Sequence, residues 1–361
     1  MNKGRILYVS LGQGIHDQRF VKCAYENGWL VTTLRCDGKS NIDLKDAESR
    51  NWIGNSQLIS RDNRHIFQAE FVGIVKEIKP NLVQVGPLSN AAAVLVQNLG
   101  VPILAVSWAY DLLYDVNESD WSKQVAISAI QLSDHIITDC IAVRKVAIML
   151  GANEESISTI PWGVDLDQFN FSTGLDRNSH FSILSLRTLE PLYSVSTLLQ
   201  AVRNLKIFET DQSLKVVVAG TGSQENQLRS FTEKHGLADS VKFVGHIPEC
   251  DLQDEFLKHD LYVSTSPVDG SSISMLQSMS SGLPCLVPNI PSNREWIKHK
   301  YNGLLYKSQD SKALADSINE VVHNSRMLAT YARNARSTIE ARANWRSGSE
   351  KIADILAKTA S

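Results

Sequence analysis

The sequence predicts an α/β protein built from two doubly wound domains with a cleft between them. Short apolar strands alternate with helical stretches along almost all of its 361 residues. Most of the strands are continuous runs of Val, Ile and Leu, which is typical of parallel strands covered on both faces. The strands fall into two series separated by a polar segment, so two parallel sheets with helices between their strands are expected.

The first series of strands predicts an N-terminal domain of residues 1–168. Its predicted strands are Arg5–Leu11, Trp29–Arg35, Asn81–Val85, Ile103–Ser107, His135–Thr138 and Ser156–Ile160. The helices predicted between them are Asp17–Asn27, Ile66–Ile78, Asn90–Leu99 and Ile141–Leu150.

The second series predicts a C-terminal domain of residues 181–342. Its predicted strands are Phe181–Leu186, Leu214–Ala219, Val241–Val244, Leu261–Ser264 and Pro284–Val287. Residues 169–180 are polar and have no apolar period, so they are expected to be a linker. The tail, residues 343–361, has the pattern of a helix.

Composition and charge exclude several classes of protein. The net charge is −3, so the basic stripe of a nucleic-acid-binding protein is not expected. No run approaches the roughly 20 apolar residues that span a bilayer, and the first residues do not form the apolar core of a signal peptide. The five cysteines are scattered without a Cys-x-x-Cys pair. Reduced, buried thiols in a cytoplasmic protein are therefore expected.

Residues 264–288 are the most informative part of the chain. An apolar strand ends near Ser264, a polar turn follows, and a Ser-rich helix begins near Ser271. This order presents free main-chain N–H groups to an anion. Asp269 and Gln277 are eight residues apart, which suits a ligand that begins as a phosphate and extends along the helix. The alternative is a plain helix start with Asp269 or Ser271 as its N-cap.

This segment resembles the signature of the retaining GT-B glycosyltransferases of group 1, also described as family 4-like. Their pattern is Glu, seven residues, Glu, then Ala-Met-Ala-x-Gly-x-Pro. This chain has Asp269, seven residues, Gln277, then the sequence SMSSGLP over residues 278–284. The resemblance implies two Rossmann-like domains, with the helix of residues 343–361 returning to the N-terminal domain. It also implies a nucleotide-sugar donor and no metal or other cofactor, and we favour a UDP-sugar over a GDP-sugar.

A second match to this family follows the first strand of the C-terminal domain. Arg187 and Pro191 stand where the family has an Arg and often a Pro, and Tyr193 stands where it has a Lys. The resemblance implies that Arg187 clamps the diphosphate of the donor. A phenol at position 193 can donate a hydrogen bond but brings no charge. The alternative for Arg187 is a surface salt bridge.

The resemblance also implies roles for the remaining donor-side residues. Asp269 would orient the donor sugar, Gln277 would face the ribose, and the main-chain amides of residues 271–273 would stabilise the leaving phosphate. The loops at Gly14 and Gly222 would let the backbone approach the donor. The remaining predicted donor-side residues are Ser271, Ser272, Ile273, His246 and Ile247, the last two being near the base. An ordinary loop histidine is the alternative at position 246.

Four residues of the N-terminal domain are predicted on the acceptor or sugar side. His16 and Asp17 open the first helix, and Asp17 is equally expected to cap it. Trp108 and Asp111 follow the strand Ile103–Ser107. An indole at the carboxyl end of a strand could stack on a sugar ring, or it could be part of the core.

The sequence therefore predicts a metal-independent, retaining glycosyltransferase that moves a sugar from a nucleotide-sugar donor to a hydroxyl of a glycan or lipid-linked acceptor. Assembly of surface polysaccharide or lipid-linked glycan is the expected setting, in the cytoplasm and with peripheral association at the inner membrane left open. Two alternatives stay open: a GT-B-like binding or scaffold subunit without activity, and a nucleotide-sugar epimerase of the same fold. No nucleic-acid partner is expected, and the sequence leaves the oligomeric state open.

Overall fold

Two units make up the fold of this chain. The computed structural model describes residues 3–12, 14–39, 46–50, 58–95, 99–172, 180–205, 213–324 and 326–361. One unit comprises residues 1–162 together with 346–361, and the other comprises residues 163–345.

The described part of the first unit contains a seven-stranded parallel sheet. Its strands are β1 (Arg5–Ser10), β2 (Leu30–Arg35), β3 (Glu48–Arg50), β4 (Leu82–Val85), β5 (Ile103–Val106), β6 (His135–Thr138) and β7 (Ile157–Thr159). They lie in the order β3-β2-β1-β4-β5-β6-β7, with Ile6 of β1 beside both Val31 of β2 and Leu82 of β4. The order reverses between β1 and β4, which makes the sheet doubly wound.

The helices of the first unit include one from the end of the chain. They are α1 (Ile15–Glu26), α2 (Arg64–Ile78), α3 (Val116–Glu118), α4 (Asp120–Leu132), α5 (Ile141–Met149) and the last helix of the chain, α13 (Trp345–Thr359). The Cys23 thiol on α1 donates to the main-chain oxygen of Ser349 on α13 at 3.3 Å. Ile352 and Leu356 of α13 are buried. The predicted return of the C-terminal helix to the N-terminal domain is therefore confirmed.

The described part of the second unit contains a six-stranded parallel sheet in the order β10-β9-β8-β11-β12-β13. Its strands are β8 (His180–Leu186), β9 (Ser213–Ala219), β10 (Val241–Gly245), β11 (Leu261–Val263), β12 (Cys285–Pro288) and β13 (Leu304–Tyr306). Its helices are α6 (Val195–Arg203), α7 (Glu225–Lys234), α8 (Leu252–Phe256), α9 (Ile273–Ser281), α10 (Pro291–Trp296), α11 (Ser311–His323) and α12 (Arg326–Arg342). This sheet is also doubly wound, with the reversal between β8 and β11.

Buried side chains cover both faces of the second sheet. Ile183 and Val263 belong to the apolar cluster on one face, and Leu184 and Tyr262 belong to the cluster on the other. Successive residues of a strand point to opposite faces, so a strand buried on both faces must be apolar throughout. The predicted two-domain, doubly wound α/β class is confirmed.

The boundary between the units differs from the predicted one. Residues 163–168 were predicted in the N-terminal domain, but they belong to the second unit. The reason is packing, because Val164 and Phe169 are buried in a core cluster of that unit and Val164 exchanges main-chain hydrogen bonds with Ala343 and Trp345. Residues 173–179 of the predicted linker lie outside the described residues.

Three secondary-structure predictions need correction. The helix predicted at Asn90–Leu99 is a short 3₁₀ turn at Ala91–Val94, and residues 96–98 lie outside the described ranges. The strands β3 and β13 were not predicted; each has three residues, and β3 is polar. The predicted start of the terminal helix at residue 343 moves to Trp345, since α12 ends at Arg342.

Candidate functional site

The carboxyl edge of the second sheet is where its strand order reverses. β8 and β11 are neighbours in the sheet, although β9 and β10 lie between them in sequence. Arg187 follows β8, and the turn of residues 264–269 follows β11. The loops at such a reversal diverge and leave room for a ligand. The fold thus brings Arg187 and Asp269, both predicted to serve the donor, to one place.

Arg187 is engaged by three oxygen atoms. Its Nη2 donates to the carboxylate of Asp269 and to Ser272 Oγ, the second at 2.5 Å, and its Nε donates to Ser264 Oγ at 3.3 Å. The Arg187 and Asp269 side chains are only 11% and 15% exposed. The alternative of a surface salt bridge is therefore wrong, because this pair is largely buried.

The pKa values of this pair keep the guanidinium charged. Burial lowers the pKa of Arg187, but the Asp269 carboxylate together with Tyr262 and Tyr193 raises it by more, so the net shift of the pKa is upward. Burial raises the pKa of Asp269, and the guanidinium opposes this shift. An anionic ligand at this site must therefore compete with Asp269 for the charge of Arg187.

Tyr193 lies beside this pair. The Arg187 guanidinium carbon is 5.5 Å from the centre of the Tyr193 ring, a distance at which the ring face attracts a cation. The main-chain oxygen of Tyr193 accepts a hydrogen bond from Thr265 Oγ1 at 3.0 Å. Burial raises the pKa of the phenol, so the side chain stays protonated and can donate.

The start of α9 corrects the predicted set of phosphate-binding amides. The amide of Ser272 donates to the main-chain oxygen of Gly270 at 3.0 Å, so it is already used. Ser271 is buried, and its hydroxyl accepts from Trp296 Nε1 at 3.2 Å. The first intrahelical bond runs from the amide of Leu276 to Ser272. Among the described residues, the amides of Ile273 and Ser274 have no acceptor, as expected for a first helical turn.

Gly220 and Gly222 allow the loops that follow β8 and β9 to pack closely against each other. A Cβ atom added at Gly222 would lie 2.5 Å from the main-chain oxygen of Leu189, and one at Gly220 would lie 2.0 Å from that of Arg187. Both are below any real Cβ contact. His246, which follows β10, is exposed, and Ile247 packs against the core of the unit.

Gln277, which was predicted to face the ribose, lies inside α9 beside an acidic side chain. Its side chain is 2% exposed, and its Nε2 is 3.5 Å from Glu249 Oε1. Glu249 lies in the loop after β10 and was not predicted as a site residue. The signal that could have found it is an acidic residue just after the carboxyl end of a parallel strand.

In the first unit, the loop after β1 is fixed by Asp17. Its carboxylate accepts from the amide of Gly14 at 2.7 Å and from the Tyr8 hydroxyl at 3.0 Å. Burial raises the pKa of Asp17 to about 6, against the opposing effect of these bonds. Asp17 is buried, so of its two predicted roles the structure confirms the helix cap.

Asp111 also has a structural position rather than the predicted one on the sugar side. It is fully buried. Its carboxylate accepts from the amide of Leu88 at 2.7 Å, the hydroxyl of Ser107 at 2.7 Å and the amide of Trp108 at 3.1 Å. These bonds use its lone pairs and hold the loop that carries Trp108.

Three rings meet at the carboxyl ends of β1, β5 and β7. The His16 ring centre is 5.1 Å from that of Trp108 and 5.0 Å from that of Trp162. Trp162 is 4% exposed and forms the inner wall, while His16 and Trp108 are half-buried. Sequence reasoning missed Trp162, because it is distant in sequence from the other two rings.

The imidazole of His16 is neutral at physiological pH. Burial lowers its pKa to about 3, and Arg19 adds to this effect. A neutral ring has one donor and one acceptor nitrogen. Among the described residues neither nitrogen of His16 has a hydrogen-bond partner.

A pH dependence of stability follows from His16. The unfolded ring binds a proton below about pH 6.5, whereas the folded ring binds one only near pH 3. Lowering the pH from 7 to 5 therefore favours the unfolded chain, by roughly 2 kcal/mol for this group. We expect the difference in unfolding free energy between the parent and His16→Gln to shift by this amount, measured by urea unfolding at both pH values. Comparing the two proteins cancels the contributions of Asp17 and Asp111, and an unchanged difference would contradict the buried, neutral ring.

The cysteines and the metal-ligating side chains of the described residues do not point to a second site. The thiols of Cys23, Cys36, Cys140 and Cys285 are reduced and buried, but that of Cys250 is exposed, which corrects the prediction that all five are buried. In the part of the chain that the structure describes, no three His, Cys, Asp or Glu side chains could hold a metal ion. No helix in those ranges is long and apolar enough to cross a bilayer.

Comparison with known proteins places the second unit in a family. Residues 169–338 match the family model described as glycosyl transferases group 1. The second unit is a glycosyl transferases group 1 domain. The family resemblance predicted from residues 187–193 and 269–284 is thereby confirmed.

Three similar proteins illustrate how far the likeness of this chain to known proteins extends. The amylovoran biosynthesis glycosyltransferase AmsK of Erwinia amylovora is 24% identical over 59% of this chain and 53% of its own length. The crystal structure of Anabaena Alr3699/HepE in complex with UDP and glucose has a TM-score of 0.79 and 19% identity, covering 98% of this chain and 100% of that one. Sucrose-phosphate synthase from Thermosynechococcus elongatus has a TM-score of 0.82 and 16% identity, covering 98% of each chain.

The comparisons establish the fold over nearly the whole chain. Both structural neighbours are less than 25% identical, so they show the GT-B fold and nothing finer. The chain spans about half the length of the curated relatives it matches.

Proposed function

We propose that this protein is a retaining glycosyltransferase that moves a sugar from a nucleotide-sugar donor to a hydroxyl acceptor. The observation that carries the proposal is the meeting of Arg187 with the first turn of α9 at the reversal of the second sheet. In a group 1 domain this arrangement suits a diphosphate leaving group.

The leaving diphosphate gains negative charge as the sugar–phosphate bond breaks. Arg187 supplies a permanent positive charge, and the amides of Ile273 and Ser274 point outward from a nine-residue helix. Fixed donors of this kind stabilise a developing charge most strongly when water is excluded. Because the protein supplies both the charge and the donors, the proposed reaction needs no metal ion.

Asp269 has two proposed roles. It pairs with Arg187 while the donor is absent, and it accepts hydrogen bonds from the hydroxyls of the donor sugar once phosphate oxygens take its place on the guanidinium. A carboxylate accepts such bonds strongly. The exchange replaces one ion pair by another, so the guanidinium is never left unpaired in a poorly solvated place.

A UDP-sugar is the proposed donor. HepE, which shares the fold, is described in complex with UDP and glucose. His246 and Ile247, after β10, would contact the base, and Gly222 would let the nucleotide lie close to the backbone. The similarity to an amylovoran biosynthesis enzyme supports a role in surface polysaccharide or lipid-linked glycan assembly, carried out at the cytoplasmic face of the membrane.

We assign the acceptor to the first unit. His16 offers one donor and one acceptor nitrogen, which matches a pair of sugar hydroxyls, and the half-buried Trp108 offers an indole edge or face to the apolar side of a sugar ring. The buried Asp111 fixes the loop of Trp108, so the indole is held in place before the acceptor binds.

A nucleotide panel tests this function. The full chain is titrated with UDP, GDP, CDP, ADP and TDP by calorimetry and thermal shift, and the sugar conjugate of the bound nucleotide is then incubated with glycan and lipid-linked acceptors. We expect UDP to bind and to raise the melting temperature, and the product to retain the anomeric configuration of the donor. Absence of binding to all five would instead support a scaffold role, and an isomerised sugar formed without acceptor would support an epimerase.

A further inference from the structure

Glu249 lies at the same carboxyl edge of the second sheet as the proposed diphosphate site. It begins the 3₁₀ turn Glu249–Asp251, four residues after the last residue of β10. Its Oε1 is 3.5 Å from Nε2 of the buried Gln277, which lies in the middle of α9. Glu249 itself is half-exposed, so a ligand can reach its carboxylate.

The spacing along α9 relates Glu249 to the diphosphate. Gln277 is four residues beyond Ile273, which corresponds to about 6 Å along the helix axis. In a nucleoside diphosphate, the ribose lies one phosphate group beyond the leaving phosphate, a separation of the same order. A nucleotide whose leaving phosphate contacts the amide of Ile273 would thus bring its ribose toward Gln277 and Glu249.

The ends of β9 and β10 lie close to the main chain of Arg187. The amide of Gly220 donates to the main-chain oxygen of Gly245 at 2.7 Å, which joins the ends of β9 and β10. A Cβ atom at Gly220 would lie 2.0 Å from the oxygen of Arg187. Gly220 therefore lets the main chain of Arg187 pack directly against the end of β9, which is hydrogen-bonded to the end of β10, the strand that leads to Glu249.

We propose that Glu249 accepts hydrogen bonds from the ribose hydroxyls of the nucleotide and selects ribonucleotides over 2′-deoxyribonucleotides. This inference rests on the proposed function. A carboxylate has only acceptor sites, and each ribose hydroxyl can donate. Nucleotide-binding α/β domains commonly use an acidic residue at this edge for the ribose. Gln277 holds the carboxylate by donating to it, and the helix itself places no carboxylate at this point.

The test compares UDP with 2′-deoxy-UDP on the full chain by calorimetry. We expect Glu249→Gln to weaken UDP binding about tenfold or more, since hydrogen bonds to a charged group are lost. The variant should leave 2′-deoxy-UDP binding nearly unchanged, so that the preference for UDP disappears. Glu233→Gln, at an exposed position on α7, is the matched control and should leave both affinities unchanged.

A second variant separates direct contact from positioning. Exchanging the two side chains, Glu249→Gln with Gln277→Glu, keeps one carboxylate within reach of the ribose and should restore most of the preference for UDP. If the Glu249 carboxylate supported the site without a contact to the ribose 2′-hydroxyl, directly or through Gln277, Glu249→Gln would weaken UDP and 2′-deoxy-UDP equally. That result, or an unchanged preference, overturns this inference and leaves the donor site intact. A parent protein that binds none of the five nucleoside diphosphates overturns the donor site and this inference together.

Discussion

Arg187→Ala is expected to reduce the rate of sugar transfer by about 10²–10³-fold, the usual cost of removing one preorganised donor from a developing negative charge. Arg187 is the cation that the structure places beside both Asp269 and the first turn of α9. Initial rates of nucleotide release, measured with saturating donor and acceptor, check this expectation.

The ion pair complicates the interpretation of this variant. Removing Arg187 alone leaves the Asp269 carboxylate, 15% exposed, without its partner. Such a change commonly costs about 3–5 kcal/mol of stability. A loss of activity could then reflect a damaged fold, so the free energy of unfolding must be measured beside the rate.

Two further variants remove this ambiguity. Arg187→Ala combined with Asp269→Asn removes both charges and should recover much of the stability but none of the transfer. Arg187→Lys keeps the charge but loses the forked geometry, so it should retain more activity than Ala. Full transfer by a stable Arg187→Ala protein would exclude Arg187 from the mechanism.

The order of the strands and helices was predictable, because a strand that is buried on both faces forms a continuous apolar run in the sequence. A parallel strand covered on both sides must be largely apolar, and β5, β11 and β12 are apolar at every position. The polar strand β3 has no such run, because it is only an edge strand of three residues beside β2.

The site was predictable only as separate segments. Arg187 could be placed after a strand and Asp269 before a helix, but their 82-residue separation hides the bond between them. The same holds for Glu249 and Gln277, whose contact depends on β10 and α9 reaching one edge of the sheet. Local patterns locate the carboxyl ends of strands, whereas the sheet order decides which ends are neighbours.

Buried polar residues were the least predictable. Asp17 and Asp111 are residues of the kind found in ligand-binding loops, yet their carboxylates accept hydrogen bonds from donors of the protein itself. A buried carboxylate needs partners wherever it lies, and sequence does not reveal whether those partners are backbone amides or a substrate. Asp269 shows the same ambiguity between a structural partner and a substrate. Its partner in the structure is Arg187, which is itself a predicted site residue.

Asp269→Asn should have opposite effects on binding and on transfer. In the parent protein Asp269 is paired with Arg187, so in the proposed donor site it competes with the diphosphate for that cation. Removing its charge should therefore tighten UDP binding by on the order of tenfold, because close charge pairs couple by about 1.5 kcal/mol or more. Transfer should fall, since the carboxylate that orients the donor sugar is gone. Calorimetry with UDP and initial transfer rates measure the two effects separately.

Thermal-shift measurements test the same competition between Asp269 and the diphosphate, and they need no acceptor. The variant without ligand should melt below the parent, because the guanidinium of Arg187 is left largely buried and unpaired. UDP should then raise its melting temperature by more than it raises that of the parent, since the ligand supplies the missing negative charge. Asp239→Asn, at an exposed position in the same unit, should match the parent in both respects. Weaker UDP binding by Asp269→Asn would show that Asp269 assists the diphosphate instead of competing with it, and the exchange of ion pairs proposed for the reaction would then be wrong.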